Sequence, residues 1–182
     1  MILTVDEFRA MTDTDEDDVQ LEARLAALEE LIRGYTNNNF QARAFRAAAE
    51  AHGYTLTVSA PGLFRPGDTL QITNSKLNAG LVNVLEKDGN DLTLREELYD
   101  ESGVTVTKVV YPEAVRQGTA ALLNWQLERA GKEGVQSESL SRHSVTYLGM
   151  DGDNAVMGFP RPMLGFLRPY MRAQFGQGVD VV

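Results

Sequence analysis

The hydrophobic period of this chain changes from about four to two after Gly53 and returns to about four after Pro112, which limits the fold more than any motif does. Helical sequence on both sides of a strand-rich middle predicts an α+β protein. The expected architecture is a helical bundle of about four to five helices, with a small β-sheet or open barrel inserted at residues 54–110. Residues 1–53 and 111–182 are then one helical domain and 54–110 a β module. A chain of 182 residues buries roughly 70% of its unfolded surface, enough for one core and a satellite.

The first segments carry helix signals. Thr4-Val-Asp-Glu7 fits a capping box, in which the threonine hydroxyl accepts from the amide three residues on and the glutamate reaches back. A short helix to about Met11 follows. After the acidic run Asp13–Asp18, Leu21, Leu25, Leu28 and Ile32 recur at helical spacing. Carboxylates at the start of that helix favour its positive end, so the run reads most simply as a solvated helix N-terminus. Gly34–Asn39 interrupts the pattern, and the alanine-rich stretch Phe40–Ala51 predicts another helix ending at His52-Gly53.

About five short strands are expected from Tyr54 to Val110. Leu56 and Val58 alternate with polar residues, Leu70-Gln-Ile-Thr73 alternates again, and Asp88-Gly89 suits a type I′ hairpin turn. Pro112 then fits a first helical turn, and Val115, Leu122, Leu123 and Trp125 mark an apolar helix to Gly131. Ser137–Tyr147 is a hydroxyl-dense loop leading into a ribbon through Val145 and Tyr147 that turns at Asp151-Gly152. Met163, Phe166, Leu167 and Tyr170 form a last helical face interrupted by Pro169. Leu25, Leu28, Ile32, Leu122, Trp125 and Leu167 are the expected core.

Composition narrows function. With no cysteine, disulfide frameworks and thiolate metal sites are excluded. No apolar run approaches 18 residues, so no membrane partner is expected, and Met1-Ile-Leu-Thr4 lacks the basic flank of a signal peptide. Folding in a cytoplasm is the expectation. The formal charge of -9 opposes binding to a phosphate backbone, although it suits a wall past which DNA slides.

Chemistry is sparse. Asp13-Thr-Asp15-Glu-Asp17 and Asp151-Gly-Asp153 begin like calcium loops, but the turn glycine and terminal glutamate are replaced by Asp18 and Arg24 in the first and by Val156 and Pro162 in the second. His52 reads as a helix cap and His143 as a surface loop residue. Ser137, Ser139, Ser141 and Ser144 lack a nucleophile elbow, and Gly62–Gly67 lacks the lysine and helix of a phosphate cradle. No catalytic residue, cofactor or metal is expected. The alternative of a different class is a metal-dependent hydrolase using Asp15, Asp17 and Asp153.

Leu3-Thr-Val-Asp-Glu-Phe8, the long second helix to Tyr35, the proline-started helix at Pro112, the run Ser137-Glu-Ser-Leu-Ser-Arg-His-Ser-Val-Thr-Tyr147 and Leu164-Gly-Phe-Leu-Arg-Pro-Tyr170 occur in an order that resembles the head-tail connector (adaptor) proteins of tailed bacteriophages. The resemblance covers most of the chain outside 54–110. It implies a structural virion protein of the neck, not an enzyme, assembled in the host cytoplasm as a ring, usually dodecameric. Such a ring joins the portal protein to stopper or tail-completion proteins and lets DNA pass without specific binding. Partner contacts then fall to Ser137, Glu138, Ser139, Ser141 and Arg142, and to Arg168, Arg172, Phe175, Val179, Val181 and Val182 in the tail. Asp13, Asp15, Asp17 and Asp18 are the lumen-facing candidates. A head-closure (stopper) protein is the neighbouring alternative, since residues 54–110 could form its small barrel. The inserted β segment departs from compact adaptors, so its ring contacts are not implied.

Overall fold

A computed structural model describes residues 1–129, 137–140, 143–146 and 155–173. The α+β mixture holds, but the expected helical bundle is overturned: strands contain more residues than α-helices, and the core is sheet-rich. Contacts divide the chain into two compact units. One comprises Met1 and Asn39–Tyr111; the other comprises Ile2–Asn38 and the chain from Pro112 onward.

The β unit contains β1 (Gln41–Val58), a 3-10 turn at Pro61–Leu63, β2 (Thr69–Thr73), β3 (Gly80–Asp88) and β4 (Asp91–Val109). The expected helix at Phe40–Ala51 is therefore the first half of a long strand. Alanine is the strongest helix former, but its advantage over ordinary residues is at most about 0.7 kcal/mol each, and pairing with β4 outweighs it, because period two puts Ala47, Ala49 and Ala51 on the buried side. These alanines join Leu56, Val58, Phe64, Leu70, Ile72, Val82, Val84, Leu92, Leu94, Val104 and Val106 in one apolar core.

All pairings are antiparallel, and they form a closed circuit. The first half of β1 pairs with the second half of β4, which pairs with β2. β2 pairs with β3, β3 with the first half of β4, and that half with Thr55–Thr57 of β1. Ser59 N–H then donates to the Ala48 carbonyl at 2.9 Å, joining the two halves of β1. The bend that permits this lies at Gly53, whose φ of +54° is open to glycine and costly to most other residues. Gly53 stands opposite Leu98 and Thr55 opposite Thr93, so β1 supplies Tyr54 alone where β4 supplies Leu94, Arg95, Glu96 and Glu97. The β3–β4 turn is Gly89-Asn90, with positive φ at Gly89 alone, a type II′ pattern and not the expected type I′.

The second unit contains α1 (Val5–Met11), α2 (Asp18–Thr36), α3 (Glu113–Arg129), the paired strands β5 (Ser137–Leu140) and β6 (His143–Thr146), the paired strands β7 (Ala155–Val156) and β8 (Phe159–Pro160), and a 3-10 segment Arg161–Tyr170. α1 opens on the capping box: Glu7 N–H donates to Thr4 Oγ1 at 3.2 Å, and Thr4 N–H to Glu7 Oε2 at 2.9 Å. α2 ends at Asn37, which takes the left-handed conformation at φ 48°. α3 packs on α2 and on the 3-10 segment. Leu25, Leu28, Ile32, Leu122 and Leu167 are buried as expected, together with Leu3, Phe8, Leu21, Val115, Leu123, Phe159 and Leu164. Trp125 is only half-buried, its ring 5.5 Å from Phe159 and beneath Arg129.

Two further expectations change here. Ser137–Leu140 is a strand and not a loop, with Glu138 opposite Val145 and Leu140 opposite His143. The ribbon partner of Val145 is thus upstream; Tyr147 and the expected turn at Asp151-Gly152 lie outside the described residues. The last helix is 3-10, with Pro169 inside it unable to donate a backbone hydrogen bond. No helix among the described residues is long and apolar enough to cross a membrane.

Candidate functional site

Asp13, Asp15, Asp17 and Asp18 are all exposed, and the last two also make structural contacts. Asp17 caps α2 by accepting from Val19 N–H at 3.0 Å. Asp18 accepts from Arg9 at 2.6 Å, and the same guanidinium donates to the carbonyls of Thr14 and Glu16, both at 2.7 Å. Arg9 therefore holds the whole loop between α1 and α2. No group of three or more acidic or histidine side chains among the described residues is arranged to hold a metal ion.

The tail begins tied down. Arg172 N–H donates to the Thr36 carbonyl at 2.8 Å, Asn38 Nδ2 to the Tyr170 carbonyl at 3.0 Å and Asn37 Nδ2 to the Ala173 carbonyl at 3.3 Å. The end of α2 thus seats residues 170–173 and leaves the side chains of Arg168 and Arg172 exposed. Phe175, Val179, Val181 and Val182 lie outside the described residues, as do Ser141 and Arg142. Ser137, Glu138 and Ser139 stand on β5, and His143 on β6. His52, read as a helix cap, is on β1 at the ribbon bend, its Nδ1 2.6 Å from Asp100 Oδ1.

A cleft of about 460 Å³ lies between the end of α1 and α3, lined by Met11, Thr12, Gln117, Ala120, Ala121 and Asn124. Its polar groups are two amides and a hydroxyl, none of which titrates near neutral pH.

The β unit carries two surfaces that sequence reading missed. Between Gln41↔Val109 and Arg46↔Thr107, β1 contains more residues than β4, so Ala42–Phe45 bulges from the sheet. The bulge exposes Arg43, Arg46 and part of Phe45, and Lys108 Nζ lies 5.9 Å from the Phe45 ring. Arg46 Nε donates to Thr107 Oγ1, and neither Arg43 nor Arg46 meets a carboxylate among the described residues.

At the ribbon bend Tyr54 is 52% and Tyr99 70% exposed, beside Glu97 and Asp100. The loop Ser75–Asn78 lies alongside, fixed by Glu101. That carboxylate accepts from Ser75 Oγ at 2.5 Å, Lys76 N–H at 2.8 Å, Asn78 Nδ2 at 3.0 Å and Leu77 N–H at 3.4 Å. The Ser75 and Lys76 bonds hold the Glu101 pKa below its ordinary value. Asn78 fixes the loop a second time, through Tyr99 N–H to its Oδ1 and its Nδ2 to the Tyr99 carbonyl. The loop presents Leu77 at 60% exposure, one residue before the Asn78 that pairs with the Tyr99 backbone.

No family model and no curated protein matches this chain.

Proposed function

We propose that this protein is a head-tail connector of a tailed bacteriophage, a ring-forming neck component that joins the portal to a stopper or tail-completion protein around the DNA channel. The observation that carries the reading is the order of parts in the helical unit. A capping-box helix, an acid-capped long helix, a helix opening after Pro112, an antiparallel pair through the serine-rich run and a proline-punctuated 3-10 segment follow one another. Those parts coincide with the stretches on which the resemblance to phage adaptors rests. The acidity of the chain is compatible with DNA passing without adhesion, and Asp13, Asp15, Asp17 and Asp18 are all exposed, as a lumen-facing run requires.

A stopper is the second reading, favoured by the closed strand circuit of residues 39–111 and by a strand content above that of the α-helices. The two separate in one experiment. This chain is mixed with the portal protein encoded by the same viral genome and with the tail-side neck proteins, and complexes are purified and imaged. A ring bound directly to the portal supports the adaptor. Binding only to a preformed portal and adaptor complex establishes the stopper, and no binding in either setting overturns both.

A further inference from the structure

The two surfaces of the β unit are complementary to each other, and both belong to every copy. The bulge offers Phe45 between Arg43 and Arg46, two guanidinium groups without a carboxylate partner among the described residues. The bend offers Tyr54 and Tyr99 with the exposed carboxylates of Glu97 and Asp100. Guanidinium groups pair with carboxylates in a fixed fork and stack on aromatic faces, so Arg43 and Arg46 suit both kinds of group at the bend. One copy cannot satisfy itself this way. The strand from Arg46 to Gly53 separates the two surfaces, about 23 Å at roughly 3.3 Å per residue.

We infer that the β1/β4 bend of one copy docks on the Ala42–Arg46 bulge of the next, head to tail. Such a contact joins different patches on its two partners, which gives closed rings when the rotation between copies closes and filaments when it does not. This builds on the ring reading above and supplies a lateral contact for it from the β unit. Glu101 and Asn78 serve the docking by tying the loop that carries the exposed Leu77 to the backbone of Tyr99 and to β4, so that this part of the bend is preformed. The contact is salt-sensitive, because screening shortens to about 3 Å at 1 M salt.

The absence of cysteine makes the test direct. The full chain is prepared as Arg43→Cys, as Glu97→Cys and as the double variant, and each is oxidised at high protein concentration, alone and with the portal. A ladder of covalent oligomers from the double variant, a mixed dimer from the two single variants combined and almost none from either single variant alone is the expected result. High salt during oxidation should suppress the ladder. Self-dimers of a single variant matching the yield of the mixed dimer would mean a two-fold contact and overturn the inference, as would a double variant that stays monomeric in both settings. A charge exchange keeps a negative result interpretable. Glu97→Lys with Asp100→Lys, and separately Arg43→Glu with Arg46→Glu, should each abolish association of the otherwise native chain, and all four changes together should restore it. Wild-type chain that binds portal while no cross-link forms would reject the contact and keep the adaptor; failure of wild type to bind portal would reject the adaptor reading itself.

Discussion

A methyl group built on Gly118 would come within 2.4 Å of Cε2 of Phe166, so the ring of the 3-10 segment occupies the place of an α3 side chain. Alanine in the middle of a helix normally gains about 1 kcal/mol over glycine. Here the clash wins, since the half-buried Phe166 must swing out of its seat, and overpacking of this kind costs about 1–3 kcal/mol. Gly118→Ala should therefore lower the melting temperature, whereas in a Phe166→Ala background it should be neutral or stabilising. Equal destabilisation in both backgrounds would place the cost elsewhere.

The capping box of α1 is coupled to α3 through Arg116, whose Nη2 lies 2.7 Å from Glu7 Oε1. Burial pushes the Glu7 pKa up, but the Thr4 amide and Arg116 outweigh it and hold the carboxyl below its ordinary 4.5. A depressed folded-state pKa means stability that is present above the unfolded value and lost as pH falls through the folded one. Thr4→Ala should cost about 1 kcal/mol by loss of the cap. The stability difference between wild type and Glu7→Gln should be largest near neutral pH and shrink below pH 4.5. A difference independent of pH would show that the charge of Glu7 contributes nothing.

Glu101 is a second carboxylate whose effect has a direct probe. Its bonds to Ser75 and to the Lys76 and Leu77 amides exist for the ionised form, so its lowered pKa implies a loop that is held above the unfolded value and loosens as pH falls through the folded one. The Lys76 amide resonance should titrate with an inflection below 4.5, and Glu101→Gln should remove that inflection. An inflection at or above the ordinary glutamate value would mean that the loop is held by Asn78 alone.

What could be read from the sequence was local. The capping box, the stripe of Leu21, Leu25, Leu28 and Ile32, and the helix after Pro112 are set by residues within a few positions of one another, and they form where expected. Phe40–Ala51 failed because its decisive partner, Val104–Val109, is far away in sequence, and alanine is compatible with either period. The bulge at Arg43–Phe45 and the bend at Gly53 follow from register against β4, which no single strand displays. Glu101 was missed for the same reason, although the polar loop Asn74-Ser-Lys-Leu-Asn78 signalled a turn that would need an anchor. Asp17 caps α2, a role contained in the reading of the acidic run as a helix N-terminus, whereas the pairing of Asp18 with Arg9 was not legible in it.

The extent of the β unit, Asn39–Tyr111, makes a sharp prediction about excision. Its ends meet: Val110 N–H donates to the Phe40 carbonyl at 2.9 Å, and the Phe40 and Tyr111 rings lie 4.8 Å apart. Its apolar core is drawn from β1 to β4 and the residues between them. Replacing residues 39–111 by a short glycine-serine linker should therefore leave a soluble protein with its helical circular dichroism, and residues 39–111 expressed alone should fold with a strand spectrum. Removing only residues 54–110, the segment marked by the change in hydrophobic period, has a different consequence. It leaves Gln41–Gly53 without β4 and exposes Ala47, Ala49 and Ala51 on an unpaired strand, the kind of edge that aggregates. The longer excision should thus be the soluble one, in sedimentation and in spectra. If the shorter excision is soluble and the longer one unfolds, the helical unit depends on Phe40–Gly53 and the division at Asn39 is wrong.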